Sequence, residues 1–288
     1  PSSGFNNTGS GNTFTGFYSG YNNVANYNTF YGVYSGYSNT NGGHNVFIGN
    51  RSGYSNNSGS FNIFIGDYSG FKNTTGGANT FVGMNAGKNN TVGQNNLFNG
   101  QGAGYTNTTG NANVSLGKEA GYQNTSGNGN IFIGYKSGYH ETGSNKLYIQ
   151  NTYEISHTTP LLYGDFKTGQ IGINTKNIPA GHAFAVNGKV IAEELRIRSY
   201  ASWPDYVFKE DYKLPTLEKL EREIKRLGHL PGIKSAKKVE KEGYNVSEIN
   251  ANLLEKIEEL TLYVIEINKE VKRLKKENSK LTKLLFNK

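Results

Sequence analysis

The chain has 288 residues, no cysteine, and 30 lysines and arginines against 22 aspartates and glutamates, a formal net charge of +8. Without cysteine there are no disulfides and no thiolate metal sites, and no apolar run reaches the ~18 residues a membrane-spanning helix needs. Composition divides the chain: only Asp67, Glu119 and Glu141 among the acids fall in residues 1–150, a stretch rich in Gly, Asn, Ser, Thr, Tyr and Phe, whereas the last third is rich in Lys, Glu, Leu and Ile. No secretion signal is visible, and a start at Pro1 suggests a processed or truncated N-terminus.

From Gly11 to Tyr139 the sequence repeats itself. The asparagine of an N-x-F-x-G word recurs at Asn12, Asn28, Asn45, Asn62, Asn79, Asn96, Asn113 and Asn130, sixteen residues apart at the first step and seventeen at the others. A glycine follows four residues later (Gly49, Gly66) and a second four beyond it (Gly53, Gly70), preceded by Ser or Ala and usually followed by Tyr or Phe. A further asparagine sits two beyond that aromatic. Seventeen residues is half a helical-pair repeat of ~34, and the Gly and Asn load disfavours helix. The period suits one coil of a parallel β-solenoid or β-roll, with two short strands and two turns.

In Val46-Phe47-Ile48 and Ile63-Phe64-Ile65 the outer two residues share one face and the phenylalanine takes the other. Apolar residues on both faces predict burial on both. One face is expected to pack against the coil's own second strand, the other against another copy of the chain. Asn45, Phe47, Gly49 and Gly53, with Asn62, Phe64, Gly66 and Gly70, are the structural positions of the repeat. The glycines are expected at positive φ or at close stacking contacts, the asparagines in turn caps and coil-to-coil ladders. Ser115 stands in place of Phe, Asn99 in place of an apolar strand residue and Lys88 in place of Tyr. Looser coils are expected there.

The words N-V-F-I-G and N-I-F-I-G resemble the N-S-V-A-I-G repeat of trimeric autotransporter adhesin heads. That resemblance covers about half of the chain and implies a left-handed parallel β-roll made by three chains. Two departures stand out: this repeat is longer, and it carries Phe where that family has a small residue.

The repeat stops near Gly143, and alternating strands follow around Ile171 and Ile173. Asn187-Gly188, in "AFAVNGKVIA", predicts a β-hairpin with a two-residue turn. "SWPDYVF" holds Trp203, the single tryptophan. Its aromatic cluster reads as an anchor packing one element on another, with a carbohydrate platform as the alternative. Leu217, Leu220, Ile224 and Leu227 fall on one face of a short helix capped by Thr216 and stopped by Gly228. Asn245 and Glu248 suggest a capping pair. Beyond them a heptad runs through Leu253, Ile257, Leu260, Val264, Ile267, Val271, Leu274, Asn278, Leu281 and Leu285, about five heptads of coiled coil, with Asn250 also at an a position. β-branched residues at a with Leu at d lean towards two strands, whereas Ile267 at d leans towards three. The basic C-terminal end reads as the solvated face of this helix.

The segment from Trp203, "WPDYVF…YKLPTLEKLEREIKRLGHLPGIKSAKKVEKEGYNVSEINANLLEKIEELTLYVIE", resembles the C-terminal segment of bacterial and phage tail-fibre-domain proteins. That resemblance implies a trimerising segment. Some such fibres end in a self-cleaving chaperone with an adjacent Ser-Asp pair, but here Ser202 and Asp205 are not adjacent.

The expected architecture is thus a mainly β repeat (parallel β-roll or solenoid, an intertwined homotrimer) over 1–143. A β connector over 144–208, a short helix and neck over 209–243, and a trimeric coiled coil over 244–288 complete it. Few residues carry chemistry: three scattered acids fit a glycosidase poorly, and His44, His140, His157, His182 and His229 have no metal-ligand spacing. The glycines of "GQGAG" at 100–104 are repeat glycines rather than a phosphate loop. The function expected is a structural and adhesive fibre outside the cell, as a surface adhesin or a phage or injection-system tail fibre. Its partners would be a glycan or other surface receptor and a larger fibre or baseplate; no enzyme activity, cofactor, metal, nucleic acid or membrane span is expected. A fibre-borne depolymerase and an ice-binding solenoid are the alternatives.

Overall fold

The structure is a computed structural model that describes residues 2–151, 159–198 and 203–286. His157 and Ser202 lie outside the described residues. The chain divides into two compact units, Pro1–Ile191 and Ala192–Lys288.

Each repeat of the first unit contributes one three-residue strand: β1 (Thr13–Thr15), β2 (Thr29–Tyr31), β3 (Val46–Ile48), β4 (Ile63–Ile65), β5 (Thr80–Val82), β6 (Leu97–Asn99), β7 (Val114–Leu116) and β8 (Ile131–Ile133). Neighbouring strands pair parallel, one coil apart, so that Phe30, Phe47, Phe64 and Phe81 stand opposite one another. β9 (Lys146–Ile149) continues the parallel series; β10 (Leu162–Asp165) turns antiparallel, β11 (Gln170–Ile173) pairs antiparallel with β10, and β12 (Phe184–Val186) lies parallel to β11. Among the described residues the twelve strands form one sheet in sequence order. The repeat region is therefore a parallel β-solenoid.

The second strand expected in each coil is absent; turns occupy the rest of the coil. Four residues per coil take positive φ, in the coil of β3 His44 (58°), Gly49 (129°), Arg51 (54°) and Gly53 (58°). A Cβ on Gly49 would stand 2.6 Å from the backbone of Gly66, and one on Gly53 would stand 2.5 Å from the Phe47 ring. The first glycine thus lets the corners stack directly, and the second lets the ring lie flat on the opposite wall.

That wall closes the interior without a second strand. Phe47 and Phe64 are 0 % exposed and their rings stack at 4.9 Å, in a column that runs from Phe14 through Phe98. Ser52 Oγ donates to the carbonyl of Phe64 at 2.9 Å. Two columns of buried asparagine do the remaining pairing. Asn56 Nδ2 donates to Asn39 Oδ1 at 2.7 Å and to the Gly59 carbonyl at 2.9 Å. The Asn45 N–H donates to Asn28 Oδ1 at 2.9 Å, and Asn45 Nδ2 donates to Gly59 O. Buried turn carbonyls need donors, and these side-chain amides supply them.

The three departures from the repeat behave differently from one another. Ser115 is buried and interrupts the ring column, which resumes with Phe132 tilted 59° against Tyr148. The strand ladder nonetheless continues through it, with the Val114 N–H on Asn130 O at 2.8 Å. Asn99 points outward and disturbs nothing. Lys88 does not loosen its coil: its Nζ sits 5.0 Å and 5.6 Å from the ring centroids of Tyr68 and Tyr105, so a cation takes the place of a ring.

The outer strand face, with Ile48 and Ile63 exposed, is not covered by its own chain. One further expectation is corrected. The hairpin at Asn187-Gly188 does not form: β12 ends at Val186, neither residue has positive φ, and the Asn187 N–H donates to Ile173 O beside the parallel pair. A type I′ turn needs positive φ at both residues.

In the second unit a 3-10 helix (Pro204–Phe208) precedes α1 (Leu217–Leu227), α2 (Ala236–Glu242) and the 41-residue α3 (Val246–Phe286). Thr216 caps α1 by accepting from the Lys219 N–H at 3.3 Å, and Gly228 ends it at φ 74°. Ser235 caps α2 in the same way. Glu248 reaches Lys234 at 3.4 Å instead of forming the expected capping pair with Asn245. The aromatic cluster does not pack as expected: Trp203, Tyr206 and Phe208 are all exposed, and Pro204 and Val207 are the buried residues of the 3-10 helix. Val207 fills the contact with α3, and Tyr206 and Tyr212 donate to Glu255 and Glu259 at 2.8 Å and 2.5 Å.

Candidate functional site

The eight repeat positions from Asn45 to Gly70 build the solenoid interior and its corners; none presents a functional group outward. The heptad residues do the opposite. Leu253, Ile257, Leu260, Val264, Ile267, Val271, Leu274 and Leu281 are all exposed, Ile257 at 58 % and Leu260 at 60 %. Glu258, Glu259 and Tyr263, on the other side of α3, are buried. Tyr263 Oη donates to Pro215 O at 2.5 Å. The 3-10 segment thus covers one side of α3 and leaves the apolar seam open.

Glu258 is 7 % exposed, and its Oε2 has no hydrogen-bond partner. Burial first, then Asp205 and Glu255, push its carboxyl above the ordinary range. Tyr212 is pushed up by burial and by its bond to Glu259.

The outer surface of the solenoid carries columns of rings. Tyr21, Tyr37, Tyr54 and Phe71 stack at 5.3–5.4 Å; Tyr105, Tyr122 and Tyr139 stack at 4.9 Å. In the neighbouring column Arg51 lies over Tyr34 and Tyr68 and donates to Tyr68 Oη at 2.8 Å. A third, shorter column is Tyr27, His44 and Phe61. Along a column each ring face is taken by its neighbour, so ring edges and hydroxyls face outward. Face stacking with a ligand is available only where a column ends. The sequence reading noted the recurring Tyr or Phe after the second glycine, but not that these rings stack from coil to coil, nor the other two columns, which aligning the repeats on their asparagines displays at fixed offsets.

The three acids of the repeat region serve local roles. Asp67 Oδ1 accepts from the Asn50 N–H at 3.2 Å, and Glu119 lies 3.7 Å from Lys136. Glu141 accepts from the Gly143 N–H at 2.7 Å and from Tyr148 Oη at 2.6 Å. Beyond them Lys146 bonds Asp165 at 2.6 Å and holds its carboxyl below the ordinary range. The hydroxyls of Thr74, Thr91 and Thr108 donate to carbonyls of the next coil at 3.0–3.1 Å, while Asn57 occupies that position one coil earlier. His140 meets Gln123 at 2.9 Å. Among the described residues no group of three or more His, Asp or Glu is placed to hold a metal ion, and no helix is long and apolar enough to cross a membrane. Comparison of the chain with protein-family models, curated proteins and solved structures finds no match.

Proposed function

We propose that this chain is a structural and attachment subunit of a fibre, which assembles as a homotrimer through α3 and presents the ringed surface of its solenoid to a glycan or other surface receptor. The observation that carries this reading is the open apolar seam of α3. A helix of 41 residues with an a/d stripe exposed along it, apolar except at Asn250 and Asn278, is unstable as a lone element and is matched by copies of itself. The uncovered Val46–Ile48 and Ile63–Ile65 faces add a second apolar surface on the same chain. Three strands rather than two follows from the likeness of the repeat to trimeric autotransporter heads. The fibre's place is outside the cell, on a bacterial surface or as part of a virion or injection-system tail, joined to a larger fibre or baseplate. Repetition serves attachment, because weak contacts displayed on three chains gain avidity without new chemistry.

Light scattering on a sizing column, with the hydrodynamic radius, tests the assembly. A mass near three chains is expected for the wild type, and Ile257→Asp with Leu260→Asp should bring it to one. A monomeric wild type sinks the trimer.

A further inference from the structure

The third ring column occupies the position just before each repeat asparagine, and every coil is left-handed there: Tyr27 (φ 61°), His44 (58°), Phe61 (62°), Ala78 (56°), Asn95 (58°) and Ala112 (54°). This conformation costs a residue with a side chain roughly 1–2 kcal/mol, and bulky residues are rare in it. Most coils place Gly, Ala or Asn there. Three successive coils place aromatic rings there, and those rings do not fill the core, since Phe61 is 65 % exposed and Tyr27 is exposed as well. Strain at a surface position whose packing return is only the stacking of these rings on one another points to use.

The geometry shows the use. Tyr27 and His44 stack at 5.0 Å, and His44 and Phe61 at 5.0 Å with their planes 8° apart. One face of Phe61 is therefore taken. The other looks along the column to the next coil, where Ala78 offers only a methyl group. One coil further stands the exposed side chain of Asn95, with exposed Gln94 beside it. At about 4.8 Å per coil, a single rung is open between the phenyl face and the amide. No Lys, Arg, Asp or Glu occurs at this position or the one before it in any of the eight coils.

We infer that this gap is a subsite for one neutral pyranose. The sugar takes the missing rung, with the C–H face of its ring on Phe61 and its hydroxyls on the side-chain amides of Asn95 and Gln94. The uncharged surroundings favour neutral hexoses and N-acetylhexosamines over uronic or sialic acids. The inference rests on the attachment reading and gives it a place and a ligand class.

Saturation-transfer NMR on the full chain tests it, with methyl β-glucoside, methyl β-galactoside and N-acetylglucosamine as probes and the thermal melt as a control on folding. Wild type should transfer saturation to the ring C–H protons of at least one probe. Phe61→Ala removes the platform, and Ala78→Phe fills the rung with a residue that the same backbone already accepts at Phe61. Each should cut the transfer at least fivefold, Ala78→Phe without lowering the melt. Transfer unchanged in Ala78→Phe overturns the subsite and leaves glycan attachment standing elsewhere on the surface. No transfer to any probe from wild type overturns the subsite; if binding to an array of surface polysaccharides is also absent, glycan attachment falls with it.

Discussion

The two units of this chain put their apolar residues in opposite places. The solenoid threads its phenylalanines through its own interior, where Phe30, Phe47, Phe64 and Phe81 are fully buried. The long helix carries its leucines and isoleucines on the outside. The first unit is complete at the level of its core with one chain; the second leaves an apolar seam exposed along α3. The difference follows from period. A seventeen-residue repeat returns each phenylalanine above the last one, so one chain supplies both partners of every contact. A heptad returns its apolar residues to one side of one helix, so that helix alone supplies only one partner of each contact.

Breaking the solenoid core gives the largest effect. Phe64→Ala leaves a hole in the middle of the ring column and should cost about 3–5 kcal/mol, read as a lower midpoint for the solenoid's unfolding in denaturant, with the mass set by α3 unchanged. Loss of mass in that variant would mean that assembly depends on the solenoid more than on the helix. Asn56→Ala comes next. It strips Asn39 Oδ1 of its donor, takes from the Gly59 carbonyl one of its two amide donors and leaves Asn73 Nδ2 with the Gly76 carbonyl alone, for about 1–3 kcal/mol by the same measurement. Thr216→Ala removes the cap of α1 and should cost about 1 kcal/mol, visible only in the melting of the helical unit.

The smallest effect has the opposite sign. Glu258 has a raised folded-state pKa, so the native state holds its proton more tightly than the unfolded chain does. Its contribution is therefore fully present below the unfolded carboxylate pKa and is lost as pH rises through the folded one. Glu258→Gln should raise the melting temperature of the helical unit at neutral pH, and the gain should vanish on acidification towards pH 4. A gain independent of pH would assign the effect to packing instead of charge.

Much of this was legible in the sequence, and for the same reason in each case. The solenoid was readable because eight asparagines and sixteen glycines keep register, and α1 because Thr216 and Gly228 bracket its apolar face. The missing second strand was not readable. Residues such as Asn56 and Gly59 satisfy backbone carbonyls by side-chain amides, which looks like an ordinary turn until the next coil is placed above it. Asn187-Gly188 misled because a turn motif needs a second strand to return to, and β12 instead lies parallel on β11. Lys88 misled because a cation between two rings looks, in one dimension, like a lost ring. The Phe61 column end was hidden in its own alignment, since only stacking shows which ring face is left uncovered.

Ser115 has a mechanical consequence. In a solenoid each coil touches only its neighbours, so stability is a chain of local couplings, and the weakest coupling decides where the chain parts. The ring column runs unbroken from Phe14 to Phe98, halts at Ser115, and resumes at Phe132. Under tension or heat the solenoid should give way at that coil first, leaving the coils before it wound as one block while those after it peel off separately. A solenoid built this way carries its own fuse.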